Sequence, residues 1–287
     1  MMNGILLINK VSGMTSNAVI QKIKRILKVK KIGHAGTLDP LATGLLVVLI
    51  NEATKLSNYL LNQDKEYLGE IVLGLATDTD DATGEIIAKQ TVTKIADPDA
   101  ALRALVGKRE QIPPMYSALK KDGKKLYELA REGKTIEREP REVEIYALER
   151  RSPVTYENGL AKFSFYCKVS KGTYVRTLCT EIGTKLGLPA HMSRLERLAS
   201  GSFRLDDAVS LADVEAGDYR LISMVDALDF PKVEVDDTLA AKIKNGNILP
   251  AQLVGSKEPL LVFKQKDRLL AIYKYKEGKY YAERVWN

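Results

Sequence analysis

The sequence predicts an α+β fold, and three observations carry that prediction. Helix-like and strand-like periodicities interleave along the chain without the regular strand–helix–strand spacing of a doubly wound sheet. Phe163–Val169 alternates cleanly, with Phe163, Phe165, Cys167 and Val169 on one face and Ser164, Tyr166 and Lys168 on the other. Near Pro231 the pattern changes, and three short strand patterns close the chain: Leu260–Phe263, Leu269–Tyr275 and Tyr280–Val285. The last two flank Lys276-Glu-Gly-Lys279, a hairpin signal. A chain of 287 residues suits one large domain with a small one, or two medium ones. The change at Pro231 divides it into residues 1–230 and a β-rich appendage, 231–287.

The elements follow in order. Gly4–Asn9 reads as a strand, and Thr15 or Ser16 can cap a helix running to about Leu27. Val19, Ile20, Ile23, Ile26 and Leu27 share one helix face, while Lys22, Arg25 and Lys28 share another. With Lys24, Lys30 and Lys31 they form a local basic patch free of acids, which is either a solvated face or a phosphate contact. Gly33–Gly44 is glycine-rich and enters an apolar strand, Leu45–Ile50. A helix is predicted over Glu52–Leu61, a strand over Tyr67–Leu75 and a helix from Asp97 to about Val106. Pro113 and Pro114 force Gln111–Lys121 to be extended. Lys120–Arg141 carries eight basic and five acidic residues, so it reads as an exposed insertion with one helix, Lys124–Arg131. A helix follows Val169, ending near Leu186. In the appendage, Asp237–Lys244 is a short helix and Lys244-Asn-Gly-Asn247 a turn.

Composition removes several classes of function. The longest apolar run, Leu45–Ile50, is too short to span a bilayer, and no secretory signal opens the chain. Two cysteines, Cys167 and Cys179, do not make a disulfide framework, and both fall at core positions. A cytoplasmic location is expected. The net charge of +7 favours a polyanion, either nucleic acid or an anionic membrane surface, although a lysine-rich surface gives the same number. Two histidines, His34 and His191, with no CxxC or HExxH leave no metal pattern. GxSxG, GxGxxG and Walker A sequences are absent, so no cofactor is called for. Asp78–Gly84 fails the calcium-loop spacing and reads as a solvated turn.

Chemistry is left to Gly33-His-Ala-Gly-Thr-Leu-Asp-Pro-Leu-Ala-Thr-Gly44. Its glycines let backbone approach a ligand closely. Asp39 is the only acid from residue 1 to residue 51. Set among basic side chains and an apolar wall, it can be a poorly hydrated, ionised nucleophile. An Asp-Pro pair can equally begin a turn or cap a helix.

The segment His34–Gly44 resembles the catalytic motif of the TruB-type pseudouridine synthases, which modify uridine 55 of tRNA. Gln111-Ile-Pro-Pro-Met-Tyr-Ser-Ala-Leu-Lys120 is similar to a family segment beside the active site. Lys124–Gly133 resembles the RNA-clasping insertion of the bacterial branch, and Ser170-Lys-Gly-Thr-Tyr-Val-Arg-Thr177 a motif that supplies an aromatic and an arginine. The resemblance runs from residue 4 to about 205; residues 232–287 resemble a PUA-like RNA-binding module, mainly through Asn245-Gly-Asn-Ile248.

It implies a mixed, mainly antiparallel sheet with flanking helices and a reaction without metal or cofactor. It makes Asp39 the nucleophile, Arg176 its ion-pair partner and Tyr67 the residue that stacks on the target base and assists loss of the C5 proton. Tyr174 is placed against the flipped nucleotide, His34 in the gap it leaves, and Leu195 in an apolar pocket. The family often carries Lys-Pro where this chain has Lys10-Val11, and Lys10 stands among the RNA-contacting candidates. The implied partner is the T stem-loop of tRNA, bound by a monomer with no obligate protein partner and no membrane. A non-catalytic RNA-folding factor and a guide-RNA-dependent synthase with protein partners are the competing expectations.

Overall fold

In the computed structural model of the chain, residues 2–286 are described except 118 and 122. The main sheet is built from β1 (Gly4–Lys10), β2 (Ile32–His34), β3 (Thr43–Ile50), β4 (Lys65–Leu73), β5 (Gly107–Gln111), β6 (Arg141–Arg150), β7 (Leu160–Val169) and β8 (Ala190–Ser200). Its strands run in the order β1-β3-β8-β4-β7-β6-β5, with β2 beside β3. Every pairing is antiparallel except β3 with β8, which joins Glu196 to Thr43 and Arg197 to Gly44. The sheet is therefore mixed and mainly antiparallel, flanked by α1 (Ser16–Leu27) and α2 (Val175–Leu186).

The continuous apolar run in β3 is explained by burial on both faces. Leu46, Val48 and Ile50 join Val19, Ile20 and Ile23 of α1 and Leu178, Cys179 and Ile182 of α2 in one cluster. Leu45, Val47 and Leu49 turn the other way, into a second cluster that takes in Leu56, Phe203 and Leu228 and extends to Val262, Leu269, Ile272 and Trp286. A strand covered on both sides has no polar face to alternate with. The far part of that cluster comes from β11 (Leu260–Gln265), β12 (Arg268–Lys276) and the chain end after β13 (Lys279–Val285). These belong to a five-stranded sheet completed by β9 (Lys232–Glu234) and β10 (Leu249–Pro250). Trp286 Nε1 also donates to the Glu52 carbonyl at 3.2 Å, tying the chain end to the turn that follows β3.

Several boundaries differ from the sequence expectation. Glu52–Leu61 is a 3-10 turn over Asn51–Leu56 followed by a short helix, Ser57–Leu61. Asn51 adopts a left-handed φ of 51° while its side chain accepts from the Lys30 and Lys31 amides and donates to the Met2 carbonyl, which spoils a regular helix start. The strand expected over Tyr67–Leu75 begins at Lys65 and ends at Leu73, where Gly74 (φ +99°) breaks it. The helix after Asp97 covers Pro98–Arg103. In the insertion the helix is Leu126–Arg131, Lys124–Lys125 instead pairing with Lys120–Lys121. Leu126 and Leu129 are buried, so the insertion is not wholly exposed. No helix among the described residues is long and apolar enough to cross a membrane.

Candidate active site

The loop from β2 to β3 is pinned at every second residue. Arg197 Nη2 donates to the Gly36 carbonyl at 3.1 Å. Ser16 Oγ accepts from the Leu38 amide at 2.8 Å and donates to its carbonyl at 3.0 Å. Lys10 Nζ donates to the carbonyls of Pro40 (3.2 Å), Ala42 (2.5 Å) and Val11 (3.0 Å). Buried carbonyls must find donors, and three side chains from three elements supply them. Asp39 lies at the centre of this series with its carboxyl turned outward.

The fold explains the glycines at two of these positions. Gly36 has φ +97°, and a Cβ there would lie 3.2 Å from Arg197 Nη1. Gly44 has φ +93°, and a Cβ would collide with the Arg197 main chain at the parallel β3–β8 crossing.

Asp39 meets Arg176, in the first turn of α2, at two points: Nε to Oδ2 at 2.9 Å and Nη2 to Oδ1 at 3.4 Å. The guanidinium is held from behind as well, Nη1 donating to the Thr79 carbonyl at 3.1 Å and Nη2 to the Tyr116 carbonyl at 2.8 Å. Arg176 is 4% exposed but Asp39 is 35% exposed, so the cation is the fixed, buried end of the pair and the carboxylate the accessible end. Burial pushes the Asp39 carboxyl above its ordinary value; Arg176 opposes the rise most, Asp81 adds to it and Lys10 opposes it.

Tyr67, on β4, is buried and stands opposite Arg197 in the β4–β8 register. Burial raises its phenol, Arg197 pulls it down, and the charge of Asp39 is felt there too. Tyr174 precedes α2 in extended conformation, gripped by one side chain: Gln111 Oε1 accepts its amide at 2.7 Å and Gln111 Nε2 donates to its carbonyl at 3.3 Å. Its phenol is raised by burial, lowered by Arg176 and raised by Asp39. The charge of Asp39 is thus felt at both Tyr67 and Tyr174, while Arg176 pairs with it directly. His34 ends β2, half-buried, its imidazole lowered by burial and by Arg197, with no hydrogen-bond partner at Nδ1. Leu195 is buried in the cluster that contains Tyr67 and Leu38.

Two expectations need correction. Lys10 is 1% exposed with its amine spent on three carbonyls, so it supports the loop from below and has no free face for RNA. Burial brings its pKa down to about 8. Asp78–Gly84 is not a merely solvated turn: Asp81 is buried, its Oδ1 accepting from Thr79 Oγ1, Thr83 Oγ1 and the Thr83 amide. That order fixes the Thr79 carbonyl on which Arg176 rests.

Sequence reasoning missed Arg197, Ser16 and Gln111 as supports of the site. Arg197 was legible in one respect, since it falls two residues after Leu195 on an extended segment and so shares its inward face. Among the described residues, no group of three His, Cys, Asp or Glu side chains could hold a metal ion. The arrangement offers one accessible carboxylate on a rigid base, bordered by two phenols.

The comparisons with known proteins agree with one another. Residues 24–175 match a family model described as TruB family pseudouridylate synthase (N terminal domain). Residues 176–228 match the tRNA pseudouridylate synthase B C-terminal domain. The tRNA pseudouridine synthase B of Bacillus pumilus is 46% identical over 290 residues, covering 95% of this chain and 93% of that one. The Streptococcus sanguinis protein of the same name is 41% identical over 294 residues, covering 99% and 100%. A chain in the crystal structure of a Cbf5-Nop10-Gar1 complex superposes with a TM-score of 0.72 at 26% identity, covering 99% of this chain and 84% of that one.

Proposed function

Because the chain belongs to the TruB family of pseudouridylate synthases, which are isomerases, we propose that it converts uridine 55 in the T arm of tRNA to pseudouridine. The observation that carries this reading is the two-point Asp39–Arg176 pair, whose buried cation leaves an oriented carboxylate open to a ligand.

A stacked uridine cannot reach Asp39, so the nucleotide is flipped out at a cost of a few kcal/mol. Asp39 is the nucleophile, and Arg176 holds it charged and oriented. The C1′–N1 bond breaks, the uracil turns, and C1′ rejoins through C5. A proton leaves C5 and one is gained at N1, so nothing is added or lost. Ordinary glycosidases need a second carboxylate because the leaving group departs and water enters. Here the base stays, and one suffices.

Tyr67 stacks on the target base, Tyr174 borders the flipped nucleotide, Leu195 lines its pocket, and His34 fills the gap in the RNA. The basic end of α1, the insertion at 120–141 and a PUA-like module at 231–287 contact phosphates, which gives affinity and register without choosing the uridine. The chain acts in the cytoplasm as a monomer without a guide RNA.

Release of label from C5-tritiated uridine in a T-arm transcript tests the reading. Purified chain on bare RNA releases tritium, and Asp39→Asn abolishes release while keeping binding. Activity that appears only with a guide RNA and added proteins refutes the stand-alone reading, and full activity of Asp39→Asn refutes the catalytic one.

A further inference from the structure

Arg176 sits in a closed ring. Gln111, the last residue of β5, accepts the Tyr174 amide at 2.7 Å and donates to its carbonyl at 3.3 Å. Two residues after Tyr174, Arg176 Nη2 donates to the Tyr116 carbonyl at 2.8 Å. The chain leads back from Tyr116 to Gln111 through Pro113 and Pro114, both buried, whose rings fix φ and leave little slack. Arg138 Nη1 holds the Pro113 carbonyl at 3.0 Å. The direction in which the ring presents the guanidinium to Asp39 therefore depends on how β5 lies against α2.

β5 is an edge strand, paired with β6. Gly107, Arg109 and Gln111 turn inward on it, Lys108 and Glu110 outward. Tyr174, which caps α2, and Glu181 stand seven residues apart, two turns along one helix face and about 10 Å along the axis. Gln111 meets the first of them and Arg109 the second, Nη2 lying 3.4 Å from Glu181 Oε2 with the side chains 23% and 20% exposed. Arg109 Nη1 also donates to the Leu105 carbonyl at 3.3 Å, on the turn before β5. One contact at the start of a helix is a pivot; a second, two turns on, makes a brace.

We propose that Arg109 and Glu181 are positioning residues which brace β5 along α2 and so hold Arg176 in line with the Asp39 carboxylate. This rests on the pseudouridylation reading and adds to it a remote pair that acts through Arg176. The pair is ill suited to stabilising the fold. Arg109 Nε and Glu181 Oε2 are buried atoms with no hydrogen-bond partner among the described residues. Charges drawn from water recover little unless their hydrogen bonds are complete, and an apolar pair of similar volume does as well or better. Burial pushes the Glu181 carboxyl up, with Arg109 and then Gln111 opposing the rise. What the two charges add is a fixed position of strand against helix.

The experiment sets rate against stability in a double variant, Arg109→Met with Glu181→Leu. Its unfolding midpoint in denaturant should equal or exceed that of the unmodified chain. Its kcat for tritium release from a C5-labelled T-arm transcript should fall about 10-fold while KM stays within about twofold, since orientation is lost and binding is not. In an Arg176→Lys background the double change should add no further loss, because the brace acts through that guanidinium. In the free protein, the nuclear magnetic resonance signal of the Arg176 Nε–H, which faces Asp39 Oδ2 at 2.9 Å, should shift or broaden. An unchanged kcat overturns the proposal, as does a rate loss that tracks a lowered midpoint, or losses that multiply in the Arg176→Lys background. If the double variant does not fold, Glu181→Gln, which keeps the volume and removes the charge, takes its place: a native kcat with a native Arg176 signal then overturns the brace. Failure of the pseudouridylation reading is distinct. The unmodified chain would release no tritium, and the Arg176 signal alone would decide whether the pair positions it.

Discussion

Ser16 Oγ brackets Leu38, accepting its amide at 2.8 Å and donating to its carbonyl at 3.0 Å. The bracket closes immediately before Asp39, so a serine at the start of α1 sets the direction of the backbone that carries Asp39. Ser16→Ala leaves one buried amide and one buried carbonyl unsatisfied, at about 1–3 kcal/mol for such a loss. The expected result is a lower unfolding midpoint and a fall in kcat larger than the change in KM, read by denaturant titration and single-turnover kinetics.

Arg176→Lys keeps a positive charge but cannot bind Asp39 at two points while reaching the Thr79 and Tyr116 carbonyls. We expect kcat to drop about 100-fold with T-arm affinity nearly unchanged, since the lost contacts orient the Asp39 carboxylate. A binding assay alongside the rate measurement separates the two effects.

Lys10 gives a pH signature. Folding lowers its amine from 10.5 to about 8. Between those values the unfolded chain holds a proton that the folded chain has released, so this group stabilises the fold increasingly as pH rises through that window. Urea unfolding of the native chain and of Lys10→Met across it should show the gain only in the former. Activity should run the other way. A neutral amine has two hydrogens for the three carbonyls of Val11, Pro40 and Ala42, so the rate should decline above about pH 8.

Gln111→Leu removes both bonds to the backbone of Tyr174, the residue that leads into α2 and Arg176. We expect a loss of about 10-fold in kcat/KM, since misplacing a catalytic group costs rate. Gln111→Glu, which can still accept the Tyr174 amide, should lose less. Steady-state rates on one T-arm substrate compare the two.

RNA affinity should fall steeply with added salt, with a slope set by the number of phosphates neutralised. Lys22 is already paired to Glu215 at 2.8 Å, so Lys22→Ala should leave the slope unchanged. Lys28→Ala and Lys30→Ala, on exposed positions beyond the helix, should each flatten it by about 1. Filter binding at several salt concentrations measures this.

Local signals carried much of the architecture. Thr15 caps α1 as its position suggested, its Oγ accepting from Ala18, and Asp97 caps the helix that follows it. The Phe163–Val169 alternation lies in a strand, and the glycine-rich loop runs into a doubly covered β3. Harder to see was β8, the strand that holds the sheet together. Arg194, Glu196 and Arg197 interrupt its apolar pattern, because one of them is a buried support and the register shifts on either side of them. The extent of β4 was blurred because Gly74 ends it without changing the apolar composition. At the site, the loop and its lone acid were visible from glycine content and charge. Its fastenings were not: Lys10, Ser16 and Arg197 reach it from residues that no local pattern connects, and only the folded register brings them to successive carbonyls.

The cluster on the far side of β3 takes in Val262, Leu269, Ile272 and Trp286 beside Leu56, Phe203 and Leu228. A cut near Pro231 would therefore expose one end of the apolar cluster behind the strand that follows the Asp39 loop, and the isolated 1–230 fragment should be less stable and less active even on a minimal stem-loop. The terminal residues thereby share one apolar seam with the strand that leaves the Asp39 loop, so a different tail would need a matching surface at Val262, Leu269, Ile272 and Trp286.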